Sequence, residues 1–84
     1  MDIAGKRLLV TGASGRLGSN LVKWLTEHGV GVRSFILPDD PAEKTLDGLA
    51  TEKAYGDLRD ETAVEAAVHG MDAIVHCAAV MGGP

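Results

Sequence analysis

Apolar positions in this 84-residue chain fall alternately into short continuous runs and helical repeats. Arg7-Leu8-Leu9-Val10-Thr11 is an apolar run of strand length. It predicts a first strand over 6–11, buried on both faces because nothing polar interrupts it. Leu17, Leu21 and Leu25, with Trp24, recur at helical spacing. They predict the inward face of a first helix over about 15–28, capped by Ser14 and stopped by Gly29. Val30 to Leu37 reads as the second strand, with Val32, Ile36 and Leu37 in the core. Pro38-Asp39-Asp40-Pro41 is a turn. Asp40 as N-cap, Pro41 at the first helical position and Glu43 completing a capping box predict a short helix over about 41–49, with Leu46 and Leu49 facing in. Glu52 to Tyr55 is a brief third strand. Asp60 caps a further helix over about 61–69, with Val64, Ala67 and Val68 at helical spacing and Gly70 as its stop. Asp72 to Cys77 is the fourth strand, continuously apolar through Ala73, Ile74 and Val75.

Strands alternating with helices argue an α/β fold with a parallel sheet and right-handed crossovers. The expected architecture is a partial Rossmann-type sheet of four strands, order 3-2-1-4, with helices on both faces. Its ligand crevice lies at the carboxyl ends of strands one and four, where the order reverses. The stretch joining the first strand to the first helix, Thr11-Gly12-Ala13-Ser14-Gly15-Arg16-Leu17-Gly18, lies at that edge. A strand turning through glycines into a helix suits a dinucleotide phosphate. Gly12 allows a turn that a side chain forbids, Gly15 lets the main chain approach a pyrophosphate, and Gly18 lets the helix pack closely. The helix start offers N–H groups and a positive dipole end to the anion. A plain glycine-rich turn is the competing reading. The spacing is not that of a P-loop, because no Lys-Ser or Lys-Thr follows Gly18.

Composition narrows this picture. The chain is shorter than the usual domain of about 100–150 residues, so it holds one modest core. Aromatics are scarce, so that core is aliphatic. A net charge of −4 with both signs interspersed argues against nucleic acid. No apolar run approaches the ~18 residues of a membrane span, and the N-terminus lacks the order of a secretory signal. A single cysteine suits a reducing cytoplasm. His76 and Cys77 adjoin on a strand and so point to opposite faces, which disfavours a shared metal. Cys77 reads as a small buried residue. His28 and His69 fall in last turns of helices, where an imidazole suits the dipole.

Three segments carry a family likeness: the glycine stretch from Thr11 to Gly18, then Tyr55-Gly56-Asp57-Leu58-Arg59-Asp60, then Asp72-Ala73-Ile74-Val75-His76-Cys77-Ala78-Ala79. In order and spacing they resemble the N-terminal portion of the extended short-chain dehydrogenase/reductases, the NAD-dependent epimerase/dehydratase group. The resemblance implies that Gly12, Ser14, Gly15, Arg16, Leu17 and Gly18 surround the pyrophosphate. It implies that Asp57 accepts from the adenine amino group beside the Leu58 backbone, and that Ala78 and Ala79 line the path to the nicotinamide ribose. Asp57 as a turn former and the two alanines as small residues at a crossing are the plainer readings. The cofactor is NAD or NADP, with NAD narrowly preferred. The family's acid for the ribose diol and its arginine for a 2′-phosphate would fall at Ile36 and Leu37, where neither stands. Asp39 and Asp40 can fold back to the ribose or serve only turn and cap. Arg33 and Arg16 can meet a 2′-phosphate, or Arg16 can be a solvated side chain.

The family's catalytic Tyr-x-x-x-Lys pair is missing: Tyr55 is the one tyrosine, and Arg59 stands four residues on. The expectation is therefore a cofactor half-site from an epimerase, dehydratase or reductase, with a small-molecule substrate and a homodimer for the longer parent. A non-catalytic NAD(P)-binding module and a deliberately minimised Rossmann half are the other readings. The fourth strand, left as an apolar edge, invites association of the chain alone.

Overall fold

The structure is a computed structural model that describes residues 3–77. Ala78 and Ala79 lie outside the described residues. Four parallel strands, β1 (Arg7–Thr11), β2 (Gly31–Ile36), β3 (Thr51–Tyr55) and β4 (Ala73–His76), form one sheet in the order β3-β2-β1-β4. The crossovers carry helix α1 (Arg16–Glu27), a 3₁₀ helix (Pro41–Leu46) and helix α2 (Glu61–Val68). The expected fold and strand order are present.

β1 is covered on both faces, as its apolar run requires. Val10 joins Val32, Ile36, Val22, Leu25 and Leu46 in one cluster. Leu9 joins Phe35 and Ala67 in the other. Alternation along β2 sends Val32 and Ile36 to the α1 side and Phe35 to the α2 side. Ser34, fully buried on β2, satisfies its hydroxyl against Thr51 Oγ1 at 2.7 Å.

The inward face of α1 is turned from the expected one. Gly18, Val22 and Leu25 are buried, whereas Leu17 is 58% and Trp24 49% exposed. Gly18 lies against the backbone of the preceding loop, which fixes the rotation of the helix. At about 100° per residue, Leu17 then lies off the interface. Leu21 is the flanking residue and packs partly against the cluster. Trp24 instead stacks on His28, ring centroids 3.8 Å apart, and His28 Nδ1 donates to the Trp24 carbonyl.

Other boundaries also shift. β2 ends at Ile36, and Leu37 is exposed where the chain leaves the sheet for the Asp39 turn. The segment after Asp40 is a short 3₁₀ helix ending at Leu46, with Leu46 buried and Leu49 half-buried. Asp40 caps it by accepting from the Ala42 N–H. Glu43 does not complete a capping box. One of its oxygens accepts from the Tyr55 hydroxyl at 2.6 Å and from Lys53 Nζ at 3.1 Å, which ties the 3₁₀ helix to β3. Asp60 caps α2 through the Thr62 and Ala63 amides, as expected.

β4 is apolar but not buried throughout. Among the described residues it pairs only with β1, and Ile74 is 42% exposed at that edge. Its start is pinned by Asp72, whose carboxylate accepts from the Arg7 N–H and whose own N–H donates to the Arg7 carbonyl.

These two helical and sheet faces make opposite demands on two leucines. Leu9→Ala empties a site that is 1% exposed, and urea unfolding should show a loss of about 2–5 kcal/mol. Leu17→Ala, on the turned-out side of α1, should fall within about 0.5 kcal/mol of the parent. A comparable loss from both would contradict the helix rotation.

Candidate functional site

The carboxyl ends of β1, β2 and β3 open on a cavity of about 170 Å³ lined by Gly12, Ser14, Phe35, Ile36, Leu37, Asp40, Gly56, Asp57 and Leu58. The glycine stretch makes one wall. Gly12 has φ +66°, a left-handed conformation that glycine adopts without strain. Its carbonyl accepts from the Gly15 N–H at 3.1 Å, which tightens the turn. A side chain at Gly18 would place its Cβ 2.1 Å from the Gly12 oxygen and 2.8 Å from the Ala13 Cα, so only glycine allows α1 this close. The contact is with the loop itself. Gly15 is exposed and is the N-cap of α1, with no side chain capping the helix. The helix start thus keeps its positive end for an external acceptor. Arg16 and Leu17 are exposed beside it.

Ser14 does not cap α1. Its hydroxyl is buried and donates to Asp40 Oδ2 at 2.7 Å, across 26 residues of chain. The Ser14 carbonyl accepts from the Thr45 hydroxyl at 2.9 Å, so the glycine loop is held twice by the 3₁₀ segment. These two donors to Asp40, Ser14 Oγ first and the Ala42 N–H second, hold its carboxyl below the ordinary carboxylate range. Asp40 therefore does more than cap. The sequence reading left this open, because the partner lies in a separate motif.

The third wall is Gly56-Asp57-Leu58. The Gly56 N–H donates to the Ile36 carbonyl at 2.9 Å, extending the β2–β3 ladder by one bond. A Cβ on Gly56 would stand 2.8 Å from the Ala63 Cβ and 3.0 Å from the Phe35 ring, so α2 and Phe35 close over a bare backbone. Asp57 is fixed by its neighbour. Arg59 Nη2 donates to Oδ2 at 2.7 Å, Nε reaches both oxygens, and the Arg59 N–H donates to Oδ1 at 2.9 Å. This pairing lowers the Asp57 pKa from the ordinary 3.8 to about 2. The Arg59 partnership and the part taken by Phe35 were not among the sequence expectations. Gly56 immediately before Asp57 is the one signal that could have pointed to the close packing.

Arg33 is not placed to meet a phosphate here. Its Nη1 donates to the Ala67 and His69 carbonyls at 2.7 and 2.9 Å, and its Nε pairs with Glu52 at 3.1 Å. It serves as a cationic cap for α2, whose last turn has no basic residue of its own. Thr11 Oγ1 and His76 Nδ1 lie 3.0 Å apart at the ends of β1 and β4. Cys77 packs on the α1-side cluster, where burial pushes its thiol pKa up. A wider groove of about 330 Å³ lies between β2, β3 and α2 and shares only Phe35 with the site.

The cavity thus combines Gly12 and Ser14 of the glycine loop, an apolar middle and two held carboxylates at the carboxyl ends of β1, β2 and β3, on the β2 side of β1 rather than at the β1–β4 edge expected for the crevice. A profile of the NAD dependent epimerase/dehydratase family matches residues 8–84. The chain belongs to this family. It is 49% identical over 71 residues to sterol demethylase protein B of Methylococcus capsulatus, covering 84% of this chain and 21% of that protein. It is 41% identical over 85 residues to a 3 beta-hydroxysteroid dehydrogenase/Delta 5-->4-isomerase of Mycobacterium tuberculosis, covering 92% of this chain and 21% of that one. Among solved structures, a uronate dehydrogenase mutant from Agrobacterium tumefaciens complexed with NAD superposes with a TM-score of 0.67 at 41% identity, covering 86% of this chain and 26% of that one. The chain therefore spans about a fifth to a quarter of the length of these family members. Among the described residues, no helix is long and apolar enough to cross a membrane.

The Asp57–Arg59 pair gives this family site a pH signature. Because the folded-state pKa of Asp57 is depressed, the stabilisation it brings is present above the ordinary 3.8 and is lost as pH falls through about 2. A carboxyl-carbon NMR titration should place the Asp57 midpoint near that value, and Arg59→Gln should return it towards 3.8. An unmoved midpoint in the variant would remove Arg59 as the cause.

Proposed function

We propose that this chain is the N-terminal part of an NAD(P)-binding Rossmann domain and holds the adenosine-diphosphate side of a nicotinamide dinucleotide. The carrying observation is that Gly12 and Ser14 of the glycine loop, which leads into the uncapped start of α1, share one cavity with Asp57 and Leu58. In this reading the pyrophosphate lies over Gly12, Ser14, Gly15, Arg16, Leu17 and Gly18 and accepts from the amides at the helix start. The adenine amino group donates to Asp57, which Arg59 holds in its ionised, acceptor-only form. The ring rests against Leu58. The family likeness assigns Ala78 and Ala79, outside the described residues, to the nicotinamide-ribose side of the cofactor. NAD is the preferred form.

The cofactor's nicotinamide supplies hydride exchange with a carbon bearing a hydroxyl or carbonyl group. The residues of this chain bind and orient. Tyr55 does not take the acid/base role, because its hydroxyl donates to Glu43, and that contact and burial raise its pKa. The whole protein is then a cytoplasmic, homodimeric epimerase, dehydratase or reductase whose catalytic tyrosine and lysine lie outside these 84 residues. Sugar nucleotides or related small molecules are the substrate class. The association with enzymes named as dehydrogenases supports this reading.

Calorimetric titration with NADH tests the site directly. Saturable one-to-one binding is the expected result, and Gly15→Val should abolish it by crowding the phosphate approach while circular dichroism shows the fold retained. Unchanged binding by that variant would place the dinucleotide elsewhere.

A further inference from the structure

Gly12 and Gly15 stand on either side of Ala13-Ser14, so the backbone between β1 and α1 has more freedom to lose than an ordinary turn. A local bond restrains it, from the Gly15 N–H to the Gly12 carbonyl at 3.1 Å. Two further bonds come from a distance. Ser14 Oγ donates to Asp40 Oδ2 at 2.7 Å, and Thr45 Oγ1 donates to the Ser14 carbonyl at 2.9 Å. Both partners belong to the crossover between β2 and β3, and Thr45 is not among the residues that line the cavity.

We propose that Thr45 is a positioning residue for the glycine loop. From outside the cavity it sets the Ser14–Gly15 peptide, and with it the first amides of α1, before a diphosphate arrives. The inference rests on the dinucleotide reading above and gives the 3₁₀ segment a part in it.

Three observations carry it. The Ser14–Gly15 peptide is planar, so its carbonyl and its N–H turn together. Thr45 holds the oxygen, and the Gly12 carbonyl holds the N–H. Gly15 is the N-cap of α1 and has no side chain to close the helix start, so this peptide plane passes the geometry of the loop to the helix. The segment that carries Thr45 is itself anchored. Leu46, next in sequence, is 1% exposed in the aliphatic cluster, and Glu43 accepts from Lys53 and Tyr55 of β3. The Thr45 hydroxyl is also oriented within its own turn. It lies 2.8 Å from the Ala42 carbonyl, the back-bond of a threonine in a helical turn, and its one hydrogen is shared between that acceptor and Ser14. A loop ordered in advance loses less freedom when it is occupied, and the gain in affinity falls on the group that the loop contacts.

The test compares ADP with adenosine. Both present the adenine to Asp57, but only ADP brings a diphosphate to the glycine loop. Thr45→Val removes the donor at an exposed position, where the fold tolerates the change. Titration followed by NMR should show ADP weakened about two- to tenfold, the net worth of one hydrogen bond, and adenosine unchanged. Thr45→Ser keeps the hydroxyl and should restore ADP binding to the parent value. In the ligand-free protein, amide hydrogen exchange at Gly15 should quicken in Thr45→Val and not in Thr45→Ser.

Equal weakening of ADP and adenosine, no change in either, or a serine variant that behaves like the valine one overturns the positioning role and leaves dinucleotide binding standing. An unsubstituted protein that binds neither ADP nor NADH overturns the dinucleotide reading, and the positioning of a diphosphate with it. Exchange at Gly15 then shows separately whether Thr45 orders the loop.

Discussion

The rest of the molecule depends on the contact between helix α1 and the Gly12–Ala13 backbone. There is no clearance for even a methyl group at Gly18. This single approach sets the rotation of α1, and through it which residues reach the core: Val22 and Leu25 enter, while Leu17 and Trp24 stay outside. The same approach fixes where the start of the helix stands relative to the glycine loop. A side chain at Gly18 would have to lift the helix, and the aliphatic cluster on that face would open with it. The packing of α1 and the placement of its uncapped start are therefore one constraint, imposed at one residue.

Around this contact the charged groups are arranged in small local sets. Asp40 is held by Ser14 and Ala42, Asp57 by Arg59, and Glu43 by Tyr55 and Lys53. In each case donors stabilise the carboxylate form, and two of the three, Asp40 and Asp57, stand in the cavity wall. These pairs are too exposed for much weight in stability. Their value is geometric, because each fixes a short loop at the end of a strand. Arg33 does the equivalent on the opposite face, where it closes the end of α2 from a neighbouring strand.

Much of this was legible in the chain. The alternation of apolar runs with helical repeats carried the sheet order, since parallel strands joined by helices have few arrangements open to them. Gly12 and Gly18 were readable because their demands are local and steric. The inward face of α1 was not, because leucine spacing alone cannot distinguish two stripes one residue apart, and a glycine contact decided between them. Ser14 differs from its expected role for a related reason: its position before a helix suits a cap, in which the hydroxyl accepts, but the hydroxyl donates to the carboxylate of Asp40, remote in sequence. The apolar run at Ile74 marked a strand, and its place at the edge of the described sheet follows from the expected order. The partnerships of Arg33, Arg59 and Glu43 depend on where turns return the chain, and no spacing rule encodes them.

The bond from Ser14 to Asp40 closes a loop of 26 residues, and the cavity wall beyond it is completed only at Leu58. No contiguous stretch of this chain contains the cavity. It comes into being when the ends of three strands are docked side by side, after the entropy of two crossovers has been spent. A molecule that occupies it thus recognises the folded state alone, and its binding energy is added to the cohesion of the whole sheet. Occupancy would slow local opening as far away as the β2–β3 ladder, so the cavity behaves as a latch on folding as well as a place to bind.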